Sequence, residues 1–126
     1  MHGVDYALAK RYLDAGARGL IAPLVNTKEN AELLANAAEY PPLGKRSLGV
    51  CRANQYGTTV QSESVEANDK TAVGVQIKDI VTVKNIDQIF ALEGMDAAFI
   101  SPHDSSASMG LAEQFGNPEY LKLWIS

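Results

Sequence analysis

Two short runs hold the residue types best able to do chemistry: Val75-Gln76-Ile77-Lys78-Asp79 and, after a helix-like stretch, Phe99-Ile100-Ser101-Pro102-His103-Asp104. Each is an apolar run that ends in polar or ionisable groups. In parallel α/β folds the carboxyl ends of strands are where ligands and catalytic side chains gather, so Asp104, just past an apolar run, marks a candidate site. The competing reading is structural, because an Asp in that place also caps the next helix, and pattern alone favours the cap. Cys51 is the other reactive side chain. With no His or Asn near it in sequence, it reads as a buried, inert thiol and takes no role.

The elements that must position these groups follow from periodicity. Val4 to Ala15 has apolar residues at near-helical spacing, and Gly16 supplies the stop. Gly19 to Pro23 is a short apolar run that reads as a buried strand. Asn26 and Thr27 offer N-cap oxygens, with Glu29 in capping-box register to Asn26, and open a helix to about Ala38. Tyr40-Pro41-Pro42-Leu43-Gly44 ends that helix, since two prolines cannot continue it. Residues 44 to 71 read as a long, structured loop with one short helix from Ser62 to Ala67. Val73 to Ile77 is the second strand, Val81 to Leu92 a helix stopped by Gly94, and Ala97 to Ile100 the third strand. Asn117-Pro118-Glu119 is an N-cap with proline at the first helical position, opening a last helix from Tyr120 to Ile125. The order is αβα, loop, βαβα, an α/β unit over residues 1–126 with no repeats and no linker.

Composition narrows the partners. At 126 residues, 46% hydrophobic and 21% charged, the chain has enough apolar surface for one core. A net charge of -4, with no basic cluster beyond isolated pairs such as Lys45-Arg46, leaves nothing to neutralise a phosphate backbone, so nucleic acid is excluded as a partner. No apolar segment is long enough to span a bilayer or form a signal peptide, which argues against a membrane. One cysteine cannot form an internal disulfide, and the cytoplasm is the default location.

Leu13-Asp14-Ala15-Gly16-Ala17, Pro23-Leu24-Val25-Asn26-Thr27, Tyr40-Pro41-Pro42-Leu43-Gly44-Lys45-Arg46, Arg52-Ala53 and Tyr56-Gly57 form an ordered set that chance would not assemble. Together they resemble the HpcH/HpaI aldolase and citrate lyase family from about Ala7 to Pro118. The family pattern VQIE, a helix, then FIGP, one variable residue and DLSASLG appears here as VQIK from Val75 and FISPHDSSASMG from Phe99. The resemblance implies a (β/α)₈ barrel, of which this chain supplies about three parallel strands with flanking helices. It also implies a metal-dependent aldolase, a carbon-carbon lyase that releases pyruvate from hydroxy-keto acids, with magnesium, manganese or cobalt as cofactor. A hard cation takes oxygen ligands and polarises the ketone so that an enolate can form.

Carried over residue by residue, Asp104 matches the metal-binding aspartate and Gln76 a glutamine beside the pyruvate site. Ser101, Pro102 and His103 match the turn whose backbone N–H groups face the substrate carboxylate, with Ser101 where the family usually has Gly. The metal-binding glutamate falls on Lys78. A protonated amine cannot ligate a cation and repels one at close range. Three outcomes are open. Lys78 pairs with Asp104 and fills the metal's place; Asp79 supplies the missing carboxylate, although strand alternation aims it at the other face; or Lys78 forms a Schiff base with a keto acid, which requires desolvation and is opposed by a neighbouring carboxylate.

Length adds a second departure, since a (β/α)₈ barrel needs about 250 residues. The family's catalytic His and the substrate-binding Arg belong to earlier strands and have no counterpart here. His2 reads as a frayed terminal residue and His103 as a loop residue. Three parallel strands cannot close on themselves, so their outer edges and apolar faces predict self-association, as a homo-oligomer or with a partner. The expectation is a lyase fold that is inactive as this chain alone, the alternative being a non-catalytic descendant that serves as a binding or assembly module.

Overall fold

The computed structural model describes residues 3–125; His2 lies outside them. Asp5 opens the first helix, α1 (Tyr6–Asp14), by accepting a hydrogen bond from Leu8 N at 2.7 Å, and Gly16, at φ +106°, ends it in a left-handed turn that a side chain would strain. Strand β1 (Gly19–Pro23) follows, and then α2 (Lys28–Ala38). Here the cap is Thr27 rather than Asn26: Thr27 Oγ1 accepts from Asn30 N at 3.2 Å, and Glu29 becomes a first-turn acid that complements the helix dipole.

The stretch expected to be a long loop is more helical than its pattern suggested. A tight turn over Arg52–Gly57 leads into α3 (Val60–Lys70), nearly twice the length anticipated. Only Ala67 of α3 is buried, so the helix has no apolar stripe for periodicity to detect. Its anchor is polar: Asn68 accepts from Tyr40 N at 2.7 Å and donates to Tyr40 O at 3.0 Å. Strand β2 (Ala72–Ile77) comes next, followed by α4 (Ile80–Lys84) and α5 (Ile86–Phe90) in place of one continuous helix. The break falls at Asn85, whose side chain leaves the helix to donate to Asn26 O at 2.7 Å. Strand β3 (Ala97–Ile100), α6 (Pro102–Ser108) and α7 (Pro118–Ile125) complete the order. Asn117 caps α7 as expected, accepting from Glu119 N at 3.0 Å.

The three strands form one parallel sheet in the order β1-β2-β3, with Gly19 opposite Ala72 and Gly74 opposite Ala97. Alternation then separates the faces. Leu20, Ala22, Val73 and Val75 point to a buried layer made with Ala9 and Leu13 of α1, Ala31, Leu34, Ala37 and Ala38 of α2, and Ile89 of α5. The other face is uncovered: Ile21 is 54% and Phe99 55% exposed. A parallel sheet normally has both faces covered, so this is the inner face of a barrel seen from an opened half. Among the described residues no helix is long and apolar enough to cross a membrane.

Candidate functional site

Lys78 and Asp104 define the site. Parallel pairing of Ile77 with Ile100 sets the strand ends side by side, and Ser101 N donates to Ile77 O at 3.0 Å just beyond the ladder. Lys78 follows Ile77, and Asp104 lies in the first turn of α6. Their side chains meet at 3.3 Å, Nζ to Oδ2. Ser101 Oγ donates to the same Oδ2 at 2.6 Å. The Ser101 hydrogen bond first, and then the Lys78 ammonium, hold the Asp104 carboxyl below the usual carboxylate range. Asp104 is therefore not the cap of its helix. Ser101 holds the N-cap position and Pro102 the first turn.

The other rim residues fall into place around that pair. Gln76 is half-buried on the inner face, in register with Phe99 and Pro23. Asp79 is spent on structure, capping α4 by accepting from Val81 N at 2.7 Å. Pro102 has no N–H, so the turn expected to face a carboxylate has only the donors of His103 and Asp104 to offer. His103 is exposed, lies 4.0 Å from Glu113 through Nδ1, and packs edge-on against Phe115 with ring centroids 5.2 Å apart. Cys51 is half-exposed rather than buried, a free thiol at the mouth of the Arg52–Gly57 turn.

Sequence reasoning missed the residues that hold this rim together. Thr82 Oγ1, buried, donates to Asn26 Oδ1 at 2.6 Å, so Asn26 ties the loop after β1 to both α4 and α5. Ser108 Oγ accepts from Ile80 N at 3.1 Å and joins α6 to the start of α4. Tyr120 of α7 reaches Ser105 Oγ at 3.0 Å. The signal available was polar residues inside apolar helices, which reads as noise until the strands are placed. Leu24, beyond β1, has φ +60° and is 55% exposed, a strained apolar residue of the kind that collects at functional rims.

The chemistry of this donor set is narrow. A lone carboxylate already engaged by an ammonium and a hydroxyl is a poor cation site, and among the described residues no three His, Cys, Asp or Glu side chains converge as a metal cluster. Lys78 is 35% exposed, which leaves it without the desolvation a Schiff-base lysine uses.

Parallel strands each followed by a helix, with charged groups beyond the carboxyl ends of β2 and β3, are the layout of part of a (β/α)₈ barrel, here three of its strands. The profile of the HpcH/HpaI aldolase/citrate lyase family matches residues 2–123, and the chain belongs to that family. It is 40% identical over 119 residues to a 2-keto-3-deoxy-L-rhamnonate aldolase of Salmonella paratyphi B, covering 93% of this chain and 44% of the relative. The crystal structure of an HpcH/HpaI aldolase/citrate lyase family protein from Burkholderia cenocepacia superposes with a TM-score of 0.87 at 30% identity, over 97% of this chain and 49% of that one. An HpcH/HpaI aldolase from Desulfitobacterium hafniense gives 0.87 at 32% identity, over 97% and 48%. The chain thus spans about half the length of the relatives it matches.

Proposed function

We propose that this chain is the rim-bearing half of a carbon-carbon lyase of the pyruvate-aldolase kind in which Lys78 has taken the place of the catalytic cation, so that the chain alone cleaves no substrate. The observation that carries this is the 3.3 Å contact between Lys78 and Asp104. The resemblance puts a metal-binding glutamate at position 78, and an ammonium there reverses the charge the ion would need. The remaining rim residues do not fit a divalent metal: Asp79 is a helix cap, and His103 is turned to Glu113 and Phe115. What this reading leaves is recognition. Gln76 on the inner face and the first-turn donors of α6 remain placed to hold a keto acid.

The uncovered inner face supports a second reading, in which a complementary half covers Ile21 and Phe99 and brings the missing base and arginine, whereas a second copy of this chain would cover the face without supplying either. One free thiol with no possible internal disulfide suits a reducing compartment, and we place the protein in the cytoplasm.

The test is a coupled assay for pyruvate release from 2-keto-3-deoxy acids with magnesium, manganese or cobalt. We expect no release above the blank with the full chain alone. Turnover that depends on any of the three metals overturns the reading.

A further inference from the structure

A second concentration of charge lies at the opposite end of the strands. A cleft of about 210 Å³ opens where the turn before β1, the start of β2 and the Arg46–Gln55 segment meet. Arg18, Arg46 and Arg52 line it, and Glu63 is the one carboxylate among its lining residues. Arg18 and Arg52 are exposed, whereas Arg46 is 2% exposed.

The buried guanidinium is incompletely compensated. Arg46 Nη2 donates to Asp14 Oδ1 at 3.0 Å, and Cζ stands 4.4 Å from the centre of the Tyr40 ring. Its Nε–H has no hydrogen-bond partner among the described residues. Nor is the Asp14 carboxylate reserved for Arg46, because Lys10 donates to its other oxygen. Two cations therefore share one anion beneath the cleft, and Arg18 and Arg52 add two more against Glu63. A local excess of positive charge in a chain of net charge -4 is not explained by composition. Partly buried charge of one sign in a concave site focuses potential on whatever enters it.

The wall of the cleft is also held in an unusual backbone state. Gln55, which lines it, and Tyr56 next in sequence have φ +51° and +55°. Asn54, fully buried, fixes that shape: its Oδ1 accepts from Cys51 N at 3.1 Å and Gly57 N at 3.0 Å, and its Nδ2 donates to Gly49 O at 2.6 Å. Left-handed residues of this kind persist only where their surroundings impose them.

We propose that this cleft binds a small oxyanion, the phosphate or carboxylate group of a metabolite, gripped by Arg18 and Arg52 over the buried charge of Arg46. Guanidinium groups match both oxyanions through paired N–H donors. The site is independent of the lyase reading, since barrel chemistry belongs to the carboxyl ends of the strands and this cleft is at their amino ends.

The experiment is a titration of the full chain with inorganic phosphate, and separately with malonate, at constant ionic strength, followed by backbone amide NMR and calorimetry. Saturable shifts are expected at Ala17, Arg18, Gln55 and Thr71, with Lys78 and Asp104 unmoved. Arg18→Ala combined with Arg52→Ala should weaken binding roughly tenfold or more, the loss of charge-assisted hydrogen bonds, without changing the Tm measured in the absence of anion. Glu63→Gln should tighten it by about two- to threefold. Saturation by phosphate alone assigns a phosphoryl ligand, and saturation by malonate alone a carboxylate. Shifts that never saturate, or that spread evenly over all the basic residues, overturn the proposal. If the double variant does not fold, the amide map of the unsubstituted chain decides by the same criteria.

Discussion

Lys78 and Asp104 meet at 3.3 Å because β2 and β3 are parallel and end in register, which sets the residue after Ile77 alongside the turn that begins α6. Neither side chain is buried, so solvent screens the pair and its value to stability is small. Its consequence is chemical. Lys78→Glu replaces the ammonium with a second carboxylate facing Asp104 and removes one of the groups that holds the Asp104 carboxyl low. Calorimetry with manganese should show binding to Lys78→Glu that is roughly tenfold or more tighter than to the unsubstituted chain, as expected when a hard cation gains an anionic oxygen donor and loses a positive neighbour. Equal affinity in the two proteins would mean that residue 78 does not decide metal binding.

Asp14 carries a larger load. Burial raises its pKa, but the hydrogen bonds from Lys10 and Arg46 outweigh that and hold the carboxyl below its ordinary 3.8. Asp14→Ala leaves the Arg46 guanidinium buried without its anion, which should cost about 3 kcal/mol in denaturant unfolding at neutral pH. A carboxyl lowered in the folded state stabilises fully above its unfolded value, and that contribution fades as pH falls through the folded one. The gap between Asp14→Ala and the unsubstituted chain should therefore narrow below about pH 3.8.

Glu39 has the opposite sign. Burial first, and then the nearby Asp96 and Glu93 carboxylates, push its pKa above the ordinary 4.5. Here the folded state holds its proton more tightly than the unfolded one, so stability falls as pH rises through the folded value. Glu39→Gln should unfold at a higher denaturant concentration than the unsubstituted chain at pH 7. That advantage should disappear below about pH 4.5, and an unchanged midpoint at neutral pH would show that the three carboxylates do not repel appreciably.

The strands were legible in the sequence because each is a short apolar run bounded by residues that stop it: Gly19 and Pro23, Lys78 after Ile77, Ser101-Pro102 after Ile100. Helix α2 was legible for a related reason, its buried Ala31, Leu34, Ala35 and Ala38 recurring at helical spacing. What escaped was set by tertiary polar contacts. α3 lacks an apolar face and is anchored through Asn68, and the break between α4 and α5 exists because Asn85 has a partner across the chain in Asn26. The Lys78 and Asp104 pairing was readable from charge and family spacing. Ser101, Asn26 and Thr82 were not, since their roles depend on the loops they face.

The uncovered inner face makes a prediction about assembly. Ile21 and Phe99 are 54% and 55% exposed on a sheet whose other side is packed by helices over β1 and β2. Sedimentation equilibrium at tens of micromolar should give a mass above that of the monomer, as apolar surface of this kind seeks cover. Ile21→Asp together with Phe99→Asp should return the mass toward the monomer while the circular dichroism spectrum stays the same. A monomer at every concentration would show that this face tolerates water.

Asn26 tests whether the rim is held from outside the charged pair. Its Oδ1 accepts from Thr82 Oγ1 at 2.6 Å and its backbone carbonyl from Asn85 Nδ2 at 2.7 Å. Asn26→Ala keeps the second bond but leaves the buried Thr82 hydroxyl without its acceptor, and a buried polar group stranded in this way costs about 1–3 kcal/mol. Thr82→Val removes the donor in a shape close to the original, so the double variant should be less damaged than the sum of the two single ones. The interaction energy from that cycle, read from urea midpoints, should be about 1 kcal/mol. Additive effects would instead mean that the two side chains act independently and that Asn26 holds the loop through its backbone alone.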